Sequence, residues 1–67
     1  MVCIFENAKG TIQTTIREVD SNTCELGERY IRDGKEHTSV IKVKKSLKEL
    51  KSFYINILDH QLKYEGE

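Results

Sequence analysis

The sequence predicts an α+β fold, in which a four-stranded antiparallel β-meander is followed by one C-terminal amphipathic α-helix packed on one face of the sheet. Turn-forming residues separate runs rich in β-branched residues, which is the pattern of successive hairpins. The last third has helical periodicity, with no glycine or proline before Gly66. Sixty-seven residues predict one domain, 1–67. The predicted elements are strands 1–6, 11–19, 23–32 and 35–44 and a helix over 47–64.

Two registers are open for the first hairpin, whose turn falls at residues 7–10. A four-residue loop turns Met1, Cys3 and Phe5 toward the core, whereas a shift by one residue turns Val2 and Ile4 inward. Either way, some apolar side chains of the first strand face outward.

The second connection is predicted to be a three-residue loop, Asp20-Ser21-Asn22, with Asn22 left-handed in a bulge. This loop places Val19 opposite Thr23. The resulting pairs divide into an apolar face and a charged face. They are Ile16 with Leu26, Ile12 with Tyr30 and Arg17 with Glu25.

Asp33-Gly34 marks the best-defined turn, because a two-residue type I′ turn needs positive φ at both central positions and this pair accepts it. Closing the turn fixes the register of the third and fourth strands. The same apolar and charged faces emerge. The predicted pairs are Tyr30 with His37, Leu26 with Ile41 and Cys24 with Val43 on one face, and Glu25 with Lys42 and Arg29 with Thr38 on the other.

The helix is predicted to begin after Ser46, because Ser46 and Glu49 have the spacing of a capping box. Up to Tyr64 its apolar residues occupy an arc of roughly 200°, about twice what one sheet can cover. The excess predicts a second apolar contact, with another copy of the chain or with a protein target. The predicted interface residues are Phe53, Tyr54, Ile57, Leu58 and Tyr64.

Eleven basic residues balance eleven acidic ones, so no net charge attracts the chain to nucleic acid or to an anionic membrane. The distribution is uneven, because residues 35–52 carry six basic and two acidic side chains. This block could follow phosphates, which makes single-stranded nucleic-acid binding the alternative function. The residues of this alternative site would be Lys42, Lys44, Lys45, Lys48 and Lys51, with Arg17 and Arg29 on the same side of the sheet as Lys42.

The order of elements resembles that of the small dimeric single-strand-binding domains of a family of transcriptional coactivators. Residues 38–62, a strand followed by a helix, carry the resemblance. The sequence has no tryptophan and lacks the aromatic-rich strands of that family, so the resemblance extends to the order of elements alone.

No residue pattern indicates catalysis, a metal site or a cofactor, and we expect a protein that is not an enzyme. Cys3 and Cys24 lack metal-ligand spacing and lie in apolar runs, where buried side chains are expected. His37 and His60 belong to no catalytic motif. In the predicted register Cys24 and His37 are about 20 Å apart, which excludes a Cys–His dyad. A chain this small also lacks the volume for a small-molecule site.

The apolar run at residues 1–5 has no basic segment before it and ends at Glu6, which is too short for a signal peptide. No segment is long enough to span a membrane. We therefore expect a cytoplasmic protein with free thiols and no membrane partner. The sequence predicts a small binding or regulatory protein that acts through protein–protein interaction, as a homodimer or as an inhibitor-like accessory module.

Overall fold

Five strands and one helix form the protein. The computed structural model describes residues 1–67. Its elements are β1 (Val2–Glu6), β2 (Ile12–Asp20), β3 (Thr23–Arg32), β4 (Lys35–Val43), α1 (Leu47–Ile55) and β5 (Gln61–Gly66). The strands form one antiparallel sheet in the order β4-β3-β2-β1-β5. The predicted class, a small α+β fold with an antiparallel sheet and one helix, is confirmed, but the sheet has five strands rather than four.

The prediction of a helix up to residue 64 is wrong, because α1 ends at Ile55. Asn56 caps the helix, and its side-chain amide donates a hydrogen bond to the Ser52 carbonyl at 2.9 Å. Asp59 then adopts a left-handed conformation with φ 63°, which asparagine and aspartate tolerate better than most residues. Its carboxylate accepts a hydrogen bond from the Ala8 N–H at 3.1 Å, which ties this turn to the first hairpin.

The chain after this turn is the fifth strand, which pairs antiparallel with β1. Leu62 lies opposite Phe5 and Tyr64 lies opposite Ile4, with a bulge between the two pairs. Since Ile4 and Phe5 face opposite sides of the sheet, Leu62 and Tyr64 do so as well. The broad apolar arc predicted for one helix therefore does not exist. The terminal helix on which the resemblance to the coactivator domains depended is likewise replaced by a helix and a strand.

The central registers are as predicted. Asp33 and Gly34 have φ values of 53° and 75°, as a type I′ turn requires. All the predicted pairs between β3 and β4, and the three between β2 and β3, are present. The loop before β3 differs, because Asp20 rather than Val19 lies opposite Thr23 and the irregularity falls between Glu18 and Asp20. Asn22 is not left-handed.

The first hairpin turns Cys3 and Phe5 toward the helix, opposite Ile16 and Thr14. This is the first of the two predicted alternatives, although Met1 remains half exposed. Asn7, itself buried, organises the turn: its side-chain carbonyl accepts hydrogen bonds from the N–H groups of residues 11 and 12 at 2.9 and 3.0 Å.

The core lies between α1 and the side of the sheet that we call the inner face. The predicted capping box starts the helix, with the Glu49 N–H donating to Ser46 Oγ at 3.2 Å and the Ser46 N–H donating to the Glu49 carboxylate at 3.5 Å. Only eight of the 67 residues are buried. The buried apolar residues are Cys3, Phe5, Ile16, Cys24, Leu47 and Leu50.

Candidate functional site

The single helix covers only part of the inner face. A five-stranded sheet is about 19 Å wide from first to last strand, whereas a helix with its side chains is about 10–12 Å across. Leu47 and Leu50 of α1 pack on β1, β2 and the start of β3, and Tyr54 contacts Phe5 with ring centroids 5.7 Å apart. The inner face of β4 and of the distal part of β3 therefore has no covering element.

We call this uncovered region the open face. Side chains alternate between the two faces of a strand, and several of those on the open face occupy positions that the sequence pattern predicts to be buried. Ile41 is 57% exposed, although it pairs with Leu26 on the same side of the sheet as the core. The open face comprises Tyr30, His37 and Ile41, with the polar residues Glu28 and Ser39 between them, and it is bordered by Leu26 and Val43, which are half-buried against the core.

At its far end the open face carries a pair of stacked rings. Tyr30 and His37 are paired across β3 and β4, with ring centroids 5.2 Å apart and planes 16° from parallel. An aromatic cross-strand pair of this kind stabilises the hairpin and also presents a rigid, largely apolar surface. The open face is therefore preformed rather than assembled from mobile side chains.

A groove of about 290 Å³ runs between α1 and the open face. Phe53 stands on the helix side of the groove and is 62% exposed, which is high for a phenylalanine beside an apolar surface. Phe53 also meets Tyr54 edge to face at 5.3 Å. The groove is lined by Leu26, Val43, Leu50, Phe53 and Tyr54, together with the charged residues Lys45 and Glu49.

Tyr54 lies in the last turn of α1, between the core and the groove. Its ring is 6.1 Å from that of His60. Burial, reinforced by the nearby carboxylate of Glu28, raises the pKa of the Tyr54 hydroxyl above its ordinary value. Tyr54 is therefore a neutral, amphipathic side chain at neutral pH, which suits an apolar contact better than acid–base chemistry.

The five residues predicted as an interface do not share one surface. Phe53 and Tyr54 border the groove. Ile57 and Leu58 lie in the connection between α1 and β5, where Leu58 is 93% exposed. Tyr64 lies on the side of β5 away from the helix. The sequence does not reveal that Leu26, Ile41 and Val43 lie next to an uncovered surface. They alternate with outward-facing residues just as the buried residues of a covered strand do.

The predicted basic site is divided between the two sides of the protein. On the outer face, Glu25 lies between Arg17 and Lys42 on neighbouring strands, so a carboxylate separates the two bases. Arg29 forms an ion pair with Glu36 at 3.8 Å, also on the outer face. These pairings leave no run of unpaired cations across this part of the sheet.

The remaining basic residues lie at the end of β4 and on the helix. Lys45 lines the groove, and Lys48 and Lys51 lie near Glu18 and Glu65 on the other side of α1. Lys51 pairs with Glu65 of β5. Lys44 is exposed just after β4. The structure does not bring these lysines and the outer-face arginines together.

The side chains that could take part in catalysis or metal binding are not clustered either. Cys24 and His37 lie toward opposite ends of the β3–β4 hairpin, paired with Val43 and Tyr30 respectively. Burial raises the pKa of both Cys3 and Cys24 thiols, which lowers their thiolate content. No group of three or more His, Cys, Asp or Glu residues is arranged to hold a metal ion.

The outer face of the sheet has a shallow polar depression of about 240 Å³ above Gly27, which has no side chain. Thr15 and Val40 flank Gly27 on the neighbouring strands. The depression is open, and the charged residues Arg17, Glu25, Glu28 and Arg29 are among those that line it. It lacks the enclosed shape and convergent polar groups typical of a ligand site.

The chain matches no family model, no curated protein and no solved structure in the comparisons made. Its helix is not long and apolar enough to cross a membrane. The open face and the adjoining groove are therefore the candidate functional site, chosen on the arrangement of the chain's own residues.

Proposed function

We propose that the protein is a non-enzymatic protein-interaction module, and that its first partner is a second copy of itself. One observation carries the proposal: apolar side chains on the inner face of β3 and β4, Ile41 above all, have no covering element. A small regulatory or accessory protein of this kind would act by docking rather than by chemistry.

The energetics of a small domain support this function. A chain of 67 residues buries only about 60% of the surface that its unfolded form exposes. Here six apolar side chains form the buried core, while Ile41 and Phe53 remain more than half exposed. Covering them would add apolar burial at about 25 cal/mol per Å², in a domain whose own core supplies about 3–5 kcal/mol.

Sedimentation velocity tests this function, with protein concentrations from about 10 µM to about 1 mM. We expect reversible self-association, weakened about tenfold or more by Phe53→Asp, because a charge would enter an apolar contact. Thermal melting of the same variant should stay close to that of the parent protein, since Phe53 is largely exposed in the single chain.

Leu58→Asp is the matched control. Leu58 is an even more exposed apolar residue, but it lies in the connection after α1, away from the open face. We expect its self-association to equal that of the parent protein. A monomer at every concentration, or equal weakening by the two variants, would contradict the proposed function.

We infer that the protein works in the cytoplasm. Both cysteines are free and fully buried, and cytoplasmic proteins usually keep their thiols reduced. Fluorescence microscopy of the tagged chain, compared with a secreted control, checks the compartment.

A further inference from the structure

The two edges of the sheet differ in how they are protected. β5 is a short edge strand of six residues, and a bulge interrupts its pairing with β1 between Ile4 and Phe5. β4 is a nine-residue edge strand without proline, bulge or covering element, and eight of its nine residues are exposed. Natural proteins usually blunt long, flat edges, because the unpaired backbone groups recruit another strand.

The turn at Asp33-Gly34 identifies the backbone groups that are free on β4. In a two-residue hairpin the flanking residues, Arg32 and Lys35, exchange both hydrogen bonds, and hydrogen-bonded pairs then recur at every second residue. The N–H of Ile31 agrees with this alternation, since it points away from β4 and donates to the carbonyl of Thr11, the residue before β2, at 3.1 Å. The β4 residues whose N–H and C=O groups point to the open edge are therefore Glu36, Thr38, Val40 and Lys42.

An antiparallel partner strand can pair only through such residues, which restricts the registers that a second β4 can adopt. With Ser39 on the two-fold axis, Glu36 of one copy lies opposite the partner's Lys42, and Thr38 lies opposite the partner's Val40. This register forms two ion pairs and overlaps all nine residues of both strands. With Thr38 on the axis the overlap is shorter and Glu36 lies opposite the partner's Val40. With Val40 on the axis the overlap is also shorter, and Glu36 lies opposite the partner's Lys44, which is outside β4.

We propose that a second copy of this chain pairs antiparallel along β4, with Ser39 on the two-fold axis, to form a continuous ten-stranded sheet. The inference rests on the proposed function, and it places the contact between the copies along the β4 edge, where the partner adjoins the open face and does not lie over it. Residues opposite each other in antiparallel strands face the same side. The two open faces are therefore contiguous, and Ile41 of each copy lies beside the partner's His37.

The Thr38 N–H provides the first test, because it points to the open edge and not toward β3. Thr38→Pro removes this donor from both copies without breaking the β3–β4 ladder, as edge strands tolerate. We expect self-association to weaken about tenfold or more, with an unchanged circular dichroism spectrum. Thr38→Ala keeps the N–H at the same position and should associate like the parent protein to within about threefold.

Charge reversal tests the register. Glu36→Lys places two lysines opposite each other at both ends of the interface, so we expect weaker association. The double variant Glu36→Lys with Lys42→Glu restores both ion pairs in this register and should recover most of the loss. If the double variant associates no better than Glu36→Lys alone, the Ser39-centred register is wrong.

Cross-linking tests the axis directly. Residue 39 would be a non-hydrogen-bonded pair on the axis, with Cα atoms about 4.5 Å apart, which a disulfide can bridge. We expect Ser39→Cys to form a covalent dimer on mild oxidation. The native thiols of Cys3 and Cys24 are buried and do not compete. Thr38→Cys and Val40→Cys report the two alternative registers, and Ser52→Cys on α1 is the control for random collision.

The outcomes separate this inference from the function on which it rests. Self-association that is sensitive to Phe53→Asp but insensitive to Thr38→Pro, without cross-linking at residue 39, would overturn the β4 interface and leave the function standing. A protein that stays monomeric at about 1 mM would overturn both. If Thr38→Pro fails to fold, charge reversal and cross-linking still decide the matter.

Discussion

The two halves of the sheet share one side-chain pattern but differ in burial. In the covered half, formed by β5, β1 and β2 under α1, the inward residues of β1 and β2 include Cys3, Phe5 and Ile16, all fully buried. In the open half, formed by β4 and the distal part of β3, the inward Ile41 is 57% exposed and β4 contains no buried residue. Alternation therefore specifies which face looks inward, but a covering element decides whether that face becomes an interior.

The halves also depend on different interactions. The covered half derives its stability from apolar burial beneath α1, the largest favourable term in folding. The open half depends on backbone pairing, the Asp33-Gly34 turn and the stacked Tyr30 and His37 rings. We therefore expect substitutions in the covered half to unfold the chain, and substitutions in the open half to change association first.

The largest effect is expected for Leu50→Ala, which empties a buried position beneath α1. The loss of packing should lower the free energy of unfolding by about 2–5 kcal/mol, which is enough to unfold a domain of this size. Urea denaturation followed by circular dichroism measures it. Ile41→Ala in the open half is the comparison, and it should lower the stability of the single chain by less than about 1 kcal/mol. Equal losses would remove the distinction between the halves.

An intermediate effect is expected at Gly34, whose φ of 75° is costly for residues with a Cβ. Gly34→Ala should lower the free energy of unfolding by about 1–2 kcal/mol and should also weaken self-association, because it disturbs the β3–β4 hairpin. Ser46→Ala is the matched variant in the covered half, with a loss of about 1 kcal/mol through the missing cap. If its association also weakens, association follows overall stability and not the hairpin.

A smaller effect concerns pH in the covered half. The hydrogen bond and charge of Lys51 lower the pKa of the Glu65 carboxyl, which links α1 to β5. A carboxyl whose pKa is lower in the folded chain stabilises it above its unfolded pKa, near 4.3, and this contribution is lost as the pH falls through the folded pKa. The melting-temperature difference between the parent protein and Glu65→Gln should therefore shrink from pH 7 to pH 3. A constant difference would show that the pair does not act through the charge of Glu65.

The smallest effect is expected for the basic residues. Glu36 and Glu65 form ion pairs with Arg29 and Lys51, and Glu25 lies between Arg17 and Lys42 on neighbouring strands. We therefore expect no salt-dependent binding to mixed single-stranded oligonucleotides at about 50 mM salt. Fluorescence anisotropy measures this, and Lys44→Glu combined with Lys48→Glu should leave self-association unchanged. Binding that weakens steeply with salt would restore the nucleic-acid alternative.

The central hairpins could be predicted because their information is local. Asp33-Gly34 has the residues that a type I′ turn demands, and one turn fixes every pair along the two strands that it joins. The helix start could be predicted for the same reason, since Ser46 and Glu49 satisfy each other within one turn.

The fifth strand could not be predicted from local propensity, because residues 56–64 are acceptable helix formers and their strand partner lies more than 50 residues earlier. Two signals pointed to it. The first strand has apolar residues from Val2 to Phe5 and no charged residue among them, whereas edge strands usually carry charges, so a central position in the sheet is favoured. Leu62 and Tyr64 alternate with polar residues, which is a strand pattern.

The candidate site was predicted in part. Phe53 and Tyr54 border the groove because they lie within the nine residues that are helical. Tyr64 would share that surface only if the helix continued to residue 64, and α1 ends at Ile55. The open face itself was not predicted, since the sequence shows where a strand is apolar but not how far a helix elsewhere in the chain will reach.

The pairing of β1 with β5 affects the order of events during synthesis. Val2 lies opposite Gly66, so the sheet cannot be completed until residue 66 has left the ribosome. Until then β1 can pair only with β2, and its other edge and the buried positions Cys3 and Phe5 are available to other nascent chains. Contacts between residues far apart in the sequence also form slowly. The protein is therefore most prone to misassembly in the interval before β5 docks on β1.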